Sequence, residues 1–578
     1  MSDFNPLDRA RINTHRSSFD LSSKKLFTAK VGEILPCYWQ IAIPGNKYRI
    51  SSDWFTRTVP VNTAAYTRIK EYYDFYAVPL RLISRALPQA FTQMTDYMTS
   101  AASANANSTS LTSVPNTSLK FISAALAGAQ TADLLDDVGL PFCYGACKVL
   151  DLLGYGSFVS SDNASKAAIS NAYLSFDPVT DDKNPLVFRV SQVVNLLPLF
   201  TYQKIYYDFF SNSQWEKHLA YTYNVDYWDG SSQLVLSADM LKLRYANYPK
   251  DYFMGMLPSS QYGSVAALPA LTSTLPSSSV ALAIDSAMSS HSPIQNLVSS
   301  ISVQASVKNG EGGVRYAYLN SDLSALSIRA TEYLQRWKEV VQFSSKDYSD
   351  QMAAQFGIKA PEYMGNHSHY IGGWSNVINI NEVVNTNLND QDSQASIAGK
   401  GIGSSSGHTI TFDCGAEHQV IMCVYHAVPM LDWDISGQAP QLTVTSISDF
   451  PQPAFDQLGM QPVPALNLIN DRSRTADGAL GYNLRYWQWK SSIDTVHAGF
   501  RKGLAYRSWS AALDGWDVLT SSGSFTYQSM KVRPQQLNSI FLPQVSGSHS
   551  GVAYDQLLCN VNFQVYAVQN LDRNGLPF

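Results

Sequence analysis

The chain has 578 residues, and its charged side chains make up 15% of them, against roughly 25% in an ordinary soluble protein. Aromatic residues make up 12%, which excludes a disordered chain, and the net charge of −5 excludes a chain that neutralises nucleic acid along its whole length. A surface this poor in charge indicates that other copies of the protein cover much of it.

The sequence also bears on where the protein folds. No apolar run reaches the roughly 18 residues that a bilayer span needs, and the first residues lack the basic-then-apolar pattern of a secretion signal. Six cysteines over this length do not form a disulfide framework. We therefore expect a protein that folds in a reducing cytoplasm without membrane insertion.

Residues 1–30 are polar and mildly basic, with six Lys or Arg against three Asp. This composition predicts an extended basic N-terminal arm rather than a packed element. From residue 31 onward, short apolar and aromatic runs alternate with Pro and Gly, which is typical of strands and turns. We expect a single domain over residues 31–578.

Four runs predict strands. The first, at residues 37–43, ends at a Pro-Gly-Asn turn, and the second, at 69–78, is dense in Tyr and Phe. Residues 418–428 are apolar nearly throughout, which suits a strand buried on both faces. Residues 559–568 alternate, with Cys, Val, Phe, Val and Ala on one face. Strands at both ends of the chain, without regular strand–helix alternation, predict an all-β sandwich or barrel.

Two helices are expected in long excursions from the sheet. The first has an apolar stripe at helical spacing and Ser321 as its N-cap. The second is shorter and ends at Gly357. The stripe of the first helix consists of Leu323, Leu326, Ala330, Tyr333, Leu334, Trp337 and Val341.

Segments rich in Ser, Ala, Asn or Gly predict surface insertions, because a compact domain rarely has long loops without a role for them. Together with the helical excursion, the expected insertions lie at about 99–132, 259–307, 320–358 and 385–409. A Gly-Lys-Gly-Ile-Gly run at 399–403 fits neither nucleotide-binding fingerprint, and we interpret it as a flexible loop.

Sites for enzyme chemistry or metal binding are weakly indicated. Asp432-Trp433-Asp434 suits glycoside hydrolysis, where paired carboxylates flank the scissile bond, although neighbouring acids are also common in loops. The Cys and His residues at 414, 418, 423 and 426 do not have the spacing of a structural zinc site, and the two His at 367 and 369 lack a third ligand. We predict no catalytic site, no metal site and no cofactor.

A basic and aromatic segment at 481–509 carries five Lys or Arg against one Asp, interleaved with seven Tyr, Trp or Phe. Single-stranded nucleic acid is bound by this combination, since cations contact phosphates and rings stack on bases. The alternative is that the rings pack in the β core or at a subunit contact, which is the commoner role of aromatic residues at strand spacing. The arm is open to the same two interpretations. The candidate DNA-facing residues are Arg9, Arg11, Arg16, Arg485, Trp487, Trp489, Lys490, Arg501 and Lys502.

Several short motifs occur in a fixed order along nearly the whole chain. They read RSSFDLS at 16–22, IPG at 43–45, FYAVPLR at 75–81, YQKIYYDFF at 202–210, DYF at 251–253, PEYMG at 361–365, PAF at 453–455 and LDGW at 513–516. In this order the chain resembles the major capsid proteins of the microviruses, small tailless single-stranded-DNA phages, and specifically their gokushovirus-like branch. Two departures are Asn46, where the family commonly has Asp, and Ser211-Asn212, where it has a local Arg.

The resemblance implies an eight-stranded antiparallel viral jelly roll with long insertions, assembled through pentamers into a T=1 icosahedral shell of sixty copies. The shell would enclose circular single-stranded DNA, be built in the cytoplasm of the bacterial host and form the virion. Implied partners are a scaffolding protein, a DNA pilot protein, a small basic DNA-binding protein and a host surface receptor. A threefold protrusion is implied for the branch, with 259–307 as its candidate.

We therefore predict a structural capsid protein and not an enzyme. Two other classes share the β-rich, low-charge, aromatic composition. A phage receptor-binding or fibre protein would show repeats or a coiled-coil stem, and neither is visible in the sequence. A β-sandwich glycoside hydrolase would need Asp432 or Asp434 to face an aromatic cleft.

Overall fold

The computed structural model describes residues 15–61, 66–84, 87–88, 114–156, 192–223, 233–266, 305–309, 315–319, 325–359, 365–384, 397–470, 478–501, 510–520, 523–541 and 554–573. Its strands are β1 (Ser17–Asp20), β2 (Ser23–Ala29), β3 (Glu33–Ala42), β4 (Lys47–Thr58), β5 (Ile69–Pro79), β6 (Asn116–Ser118), β7 (Val193–Asn195), β8 (Arg244–Tyr245), β9 (Ala305–Asn309), β10 (Arg315–Leu319), β11 (His369–Val384), β12 (Ile397–Ser406), β13 (Ile410–Asp413), β14 (Gln419–Pro429), β15 (Asp432–Asp434), β16 (Met460–Pro464), β17 (Ala479–Leu484), β18 (Ala512–Asp514) and β19 (Leu557–Gln569).

Helices connect these strands. The α-helices are α1 (Leu119–Thr131), α2 (Phe142–Leu153), α3 (Leu197–Ile205), α4 (Ala220–Tyr223), α5 (Ala238–Leu241), α6 (Ala325–Phe343), α7 (Tyr348–Phe356), α8 (Trp487–Lys490) and α9 (Gly515–Val518). A π-helical turn, Tyr206–Phe210, extends α3. Short 3₁₀ turns lie at Leu80–Leu82, Pro440–Thr443, Ile447–Asp449, Pro453–Phe455, Ala465–Asn467, Ala498–Phe500, Tyr527–Met530 and Pro534–Ser539. None of the described helices is both long enough and apolar enough to cross a membrane.

The main sheet contains eleven of the described strands, all paired antiparallel. Its order is β1-β19-β4-β12-β11-β5-β14-β3-β8, with β2 also on β19 and β13 also on β4. Four smaller pairs are β9 with β10, β15 with β18, β16 with β17 and β6 with β7. The prediction of a predominantly β fold is confirmed. The eight-stranded jelly roll stays a prediction.

The sheet folds back on itself around an aromatic core. The rings of Tyr38 on β3 and Phe563 on β19 have centroids 5.3 Å apart, although these strands are far apart in the pairing order. Trp54 on β4 likewise lies 5.2 Å from Tyr73 on β5. Tilted and edge-on ring pairs at this distance add attraction beyond the apolar area that they bury. The two halves of the strand path therefore face each other.

The strand predictions agree closely with the structure. The residues of β19 alternate between buried and exposed, with Cys559, Val561, Phe563 and Val565 inside, as the period of two predicts. β14 is buried along nearly its whole length, because β3 and β5 flank it and helix α3 contacts it. The predicted strand at 37–43 overlaps β3 as far as Ala42, and the predicted strand at 69–78 lies within β5.

Helices α2 and α3 pack against β3, and α1 packs against α2. The indole Nε1 of Trp39 donates to the carbonyl oxygen of Leu153 at 2.9 Å, and the hydroxyl of Tyr202 donates to the carbonyl oxygen of Ile34 at 2.9 Å. These bonds hold the end of α2 and the middle of α3 against the strand. The helices cover one side of the sheet with buried apolar side chains.

A buried cluster of four charged side chains ties α2 to the sheet. Lys148 on α2 lies 2.5 Å from Glu33 and 2.9 Å from Asp555, and Lys30 lies 3.0 Å from Asp555. Tyr144 donates to Asp555 and accepts from Lys30 at 2.7 Å. Burial alone would raise the pKa of Asp555, but the charges of Lys148 and Lys30 outweigh it and hold that pKa well below its usual range. The cluster could not be predicted from the sequence, because its members are far apart along the chain.

Both predicted helices are present. Helix α6 begins at Ala325 and ends at Phe343, and α7 ends before Gly357, whose φ of +68° allows the left-handed turn that closes a helix. The predicted N-cap, Ser321, lies outside the described residues.

The structure differs from the sequence predictions in two places. Residues 17–29, predicted as part of an arm rather than a packed element, form β1 and β2 on the last strand of the sheet. Residues 399–403, predicted as a flexible loop in the insertion 385–409, lie in β12, an inner strand between β4 and β11. The predicted division into an arm at 1–30 and one domain at 31–578 remains a prediction, as do the insertions at 99–132 and 259–307, of which the structure describes only parts.

Candidate functional site

The segment between β15 and β16, residues 436–459, lies almost wholly on the surface. Three 3₁₀ turns shape it, and the second has a capping box in which Ser446 and Asp449 each bond the other's backbone. No residue of 436–459 is buried. We call this segment the surface loop. Its exposed large apolar side chains are Leu442, Ile447, Phe450, Phe455 and Leu458.

The surface loop is held against residues 485–490. Lys490 pairs with Asp456, Phe450 lies 6.3 Å from Trp489 between ring centroids, and the amide of Gln441 donates to the carbonyl oxygen of Gln488 at 3.2 Å. A loop fixed at several points keeps a defined shape although its own side chains are exposed. Several exposed apolar side chains on such a loop make it a candidate surface for contact with another molecule.

Three predicted DNA-facing residues come together at this surface. Arg485 donates to the carbonyl oxygen of Leu458 at 3.4 Å, Trp489 is 41% exposed, and Lys490 pairs with Asp456. Trp487 instead packs against the hydrophobic core. The structure thus gathers Arg485, Trp489 and Lys490 but directs one of the predicted rings inward.

The other predicted residues lie elsewhere. Arg501 donates to the carbonyl oxygen of Ile435 at 2.6 Å, and its Nε lies 3.8 Å from Asp434. Arg16 donates from Nε to Asn570 at 2.8 Å, beyond the end of β19. Arg9, Arg11 and Lys502 lie outside the described residues. Of the four cations that are described, Lys490 and Arg501 have a carboxylate partner of their own, which reduces the charge that they offer to phosphates.

Most rings of the 481–509 segment that the structure describes are not free to stack on bases. Tyr486 is buried, and Phe500 packs edge-on against Tyr66, with the centroids 5.5 Å apart. This agrees with the alternative in which the rings serve packing. Trp489 is the exposed Trp of the segment among the described residues.

Helix α6 is a second surface with exposed apolar side chains. Leu326, Tyr333, Leu334 and Trp337 of its predicted stripe are all exposed, Leu326 by 76% and Tyr333 by 67%. Its polar side chains contact the rest of the chain, since Gln335 donates to Gln261 at 2.7 Å. The sequence predicted the stripe but not its direction, because periodicity alone does not say whether a stripe faces the chain's own core or a neighbour.

The pair Asp432 and Asp434 does not form the predicted aromatic cleft. Trp433 between them is fully buried, and its indole Nε1 donates to Asp251 at 2.5 Å, so its ring cannot stack on a sugar. Asp434 is nearly buried beside Arg501. Burial and the neighbouring Asp494 raise the pKa of Asp432. The geometry does not support the glycoside hydrolase alternative.

The cysteine and histidine residues do not assemble into a metal site. All six cysteines are buried as free thiols. Burial lowers the pKa of His426 to about 3, and its ring stacks on Tyr72 with centroids 4.7 Å apart. Among the residues that the structure describes, no group of three or more His, Cys, Asp or Glu could hold a metal ion.

Comparison with known proteins gives two matches. A family model described as capsid protein (F protein) matches residues 10–152 and 181–573. Capsid protein VP1 of Chlamydia phage 1 is 24% identical over 208 residues, which are 34% of this chain and 34% of that relative. The aligned part therefore spans about a third of the curated relative.

Proposed function

The chain belongs to the capsid protein (F protein) family, and we propose that it is the major capsid subunit of a single-stranded-DNA phage, which self-associates into the shell of the virion. The family match extends over most of the chain and confirms the resemblance drawn from the ordered motifs. The role is structural, with no catalytic step. Assembly in the cytoplasm of a bacterial host and recognition of a surface receptor belong to the same proposal.

The observation that carries the proposal is the apolar surface left open by a well-packed chain. The surface loop has no buried residue, and α6 turns its apolar stripe outward, while charged residues are only 15% of the sequence. Several large apolar side chains exposed on one loop and on one helix are typical of surfaces that bind another molecule. Neighbouring copies in a shell would cover them.

We propose that the fold is an eight-stranded viral jelly roll, and the strand pairings support this. Two antiparallel sets of four can be drawn from the main sheet, β2-β19-β4-β13 and β3-β14-β5-β11. In chain order these strands alternate between the sets except at β5 and β11, which follow one another and pair within the same set, and the aromatic contacts described above join the two sets. Strand β12 then links β4 to β11 as an addition to the eight.

Sixty copies in a T=1 shell, built through pentamers, are the proposed assembly. A subunit of net charge −5 cannot neutralise packaged DNA, so the neutralising cations must come from elsewhere. We propose a small basic DNA-binding protein for that role, beside a scaffolding protein and a DNA pilot protein.

For DNA contact we propose Arg485, Trp489 and Lys490, which share one exposed surface. The other residues predicted from the sequence to face DNA do not lie together with them or are not described. These are Arg9, Arg11, Arg16, Trp487, Arg501 and Lys502.

Replacing Arg485 and Lys490 together by Gln is expected to lower the DNA content of each particle, because two cations near phosphates are lost. The ratio of absorbance at 260 and 280 nm measures this. Lys47→Gln is the matched control, since it removes an exposed lysine paired with Asp413. Unchanged DNA content in the double variant would refute the assignment.

Sedimentation velocity tests the capsid proposal itself. The chain is co-expressed with the scaffolding protein of the same phage and purified. A single fast species far larger than the 63.8 kDa subunit supports the proposal. A chain that stays monomeric or trimeric, under conditions that assemble the related VP1, contradicts it.

A further inference from the structure

Tyr486 has an unusual backbone conformation within the surface proposed to contact DNA. Its φ is +60° and its ψ is +25°, in the left-handed region that a residue with a large side chain rarely adopts. It lies between the end of β17 at Leu484 and the start of α8 at Trp487. Strained residues of this kind persist only where their surroundings hold them, and they are concentrated at functional sites. The conformation of Tyr486 therefore indicates a role for the turn that it forms.

The turn at Tyr486 sets the positions of two proposed DNA-contact residues. The guanidinium of Arg485 lies over the ring of Tyr486, 5.5 Å from its centroid. The backbone N–H of Trp489 donates to the carbonyl oxygen of Tyr486 at 2.9 Å. Arg485 and Trp489 thus both take their positions from Tyr486. A different backbone conformation at this residue would move them relative to each other.

The side-chain amide of Gln461 holds this turn at two points. Its Oε1 accepts from the backbone N–H of Tyr486 at 3.2 Å, and its Nε2 donates to Oε1 of Gln488 at 2.5 Å. The side chain of Tyr486 does not cap α8, as the side chain before a helix often does. Gln461 lies in β16, opposite Asn483 of β17, so a strand pair supports the amide.

We propose that Gln461 is a positioning residue for DNA contact. It holds Tyr486 in the left-handed conformation, and Tyr486 in turn directs Arg485 and Trp489 toward the same single strand of DNA. Gln461 itself does not touch the DNA. The inference rests on the DNA contact proposed for this surface, and it adds the residue on which the geometry of that contact depends.

A purely structural role for Gln461 makes a different prediction. Loss of its two hydrogen bonds would then lower the free energy of unfolding without changing how the folded chain binds DNA. A positioning role changes the contact itself, since Arg485 and Trp489 would no longer be held where a phosphate and a base reach them. DNA binding by the folded chain therefore separates the two roles.

Binding of a fluorescent oligo-deoxythymidine to the purified, unassembled chain tests the inference. Gln461→Met keeps the length of the side chain but removes both hydrogen bonds. We expect it to weaken binding about fivefold and to reduce the slope of log Kd against log salt concentration by about 0.7, the value for one phosphate contact on a single strand. Gln457→Met, at an exposed position of the surface loop, is the matched control and is expected to change neither.

A double variant shows whether Gln461 acts through Arg485. Arg485→Gln alone is expected to reduce the salt slope by the same amount as Gln461→Met. The slope of the variant that carries both substitutions is expected to equal that of either single variant, because one phosphate contact cannot be lost twice. A structural role for Gln461 would leave the slope of Gln461→Met at the wild-type value.

Two results would overturn the inference. Wild-type affinity and salt slope in a folded Gln461→Met chain would show that the turn keeps its shape without the amide. Additive reductions of the slope in the double variant would show that Gln461 does not act through Arg485. If Arg485→Gln itself leaves DNA binding unchanged, the proposed DNA contact fails, which is a separate result.

A variant at Gln488 covers the case in which Gln461→Met does not fold. Gln488→Ala frees one end of the Gln461 amide, while the bond to the N–H of Tyr486 can still form. A smaller loss of DNA binding in the same direction is therefore expected. Circular dichroism checks the folding of each variant. Wild-type binding by folded Gln488→Ala, beside a Gln461→Met chain that does not fold, would assign Gln461 to stability alone and contradict the proposal.

Discussion

Two positive and two negative side chains lie together in the interior of the protein. They are Lys30, Lys148, Glu33 and Asp555. Buried ionised groups are stable only when they are paired with opposite charges. Burial raises the pKa of Glu33, whereas the two lysines hold that of Asp555 low. The cluster joins strand β3, helix α2 and the segment before β19. It therefore specifies how the helical layer sits on the sheet.

The Lys148→Met variant is expected to lose about 3–5 kcal/mol of unfolding free energy, because Glu33 and Asp555 remain buried with one cation between them. Urea unfolding of the unassembled subunit measures the loss. Lys24→Met, at an exposed position of β2, is the control and is expected to change little. A loss below about 1 kcal/mol for Lys148→Met would show that the cluster does not stabilise the packing of α2 on the sheet.

Asp74 gives a prediction for pH. Burial raises its pKa to about 6 although the hydroxyl of Tyr370 donates to it, and the neighbouring His426 stays neutral because burial lowers its pKa to about 3. Because the folded-state pKa exceeds the unfolded value, the folded state holds the proton more tightly, and unfolding free energy falls as pH rises from about 4 to about 6.

Asp74→Asn removes this loss. Relative to the wild type, the variant is expected to gain up to roughly 3 kcal/mol at pH 7 and nothing below pH 4, as measured by urea unfolding at both pH values. Burial also raises the pKa of Asp136 to about 6, but both proteins contain Asp136, so its contribution cancels in the difference between them. The same difference between the two proteins at both pH values would disprove the assignment.

Among the helices, replacing a glycine by alanine is expected to change the free energy of unfolding in opposite directions at two positions in neighbouring helices. At Gly128 in α1 an added Cβ meets nothing within 4 Å, whereas at Gly145 in α2 it would come within 2.7 Å of Leu243. Gly128→Ala is expected to stabilise the chain by about 0.5–1 kcal/mol through helix propensity. Gly145→Ala is expected to cost about 1–3 kcal/mol through overpacking. Urea unfolding of both variants is the test, and a shift of the same sign in both would contradict it.

Elements with a strong period were predictable from the sequence. The alternation in β19 and the apolar run of β14 each record a local burial pattern, and the stripe of α6 marks a helix by its spacing although its apolar side chains are exposed. Strand β12 was missed because its Gly- and Ser-rich sequence has no such pattern. An added Cβ at Gly401 would lie 2.5 Å from Thr58, and one at Gly403 would lie 2.7 Å from Glu71. Close approach to β4 and β5 explains the glycines, and a sequence does not show which strands will be neighbours.

Strand β2 was missed for a related reason. Lys24 and Lys25 suggested an arm, but exposed lysines also suit the outer strand of a sheet, where charge opposes unwanted pairing. The candidate site was predicted in part. Arg485, Trp489 and Lys490 share a surface, but the partners of Lys490 and Arg501, Asp456 and Asp434, could not be read from local composition.

At the scale of the whole molecule, low charge and open apolar surface have one explanation. A subunit buried by its neighbours on several sides needs fewer charges for solubility, and its assembly depends on the surfaces that its own core leaves uncovered. The surface loop and the stripe of α6 are such surfaces. A signal for the loop is present in the sequence, as a long stretch without Lys or Arg that still carries large apolar residues.

Cryo-electron microscopy of particles from cells that co-express the chain with its scaffolding protein is the decisive test of the capsid proposal. We expect isometric particles of icosahedral symmetry with sixty jelly-roll subunits, in which the surface loop and α6 are covered by neighbouring copies. A soluble monomer or trimer as the end product, or a particle in which both surfaces remain open to solvent, would contradict it.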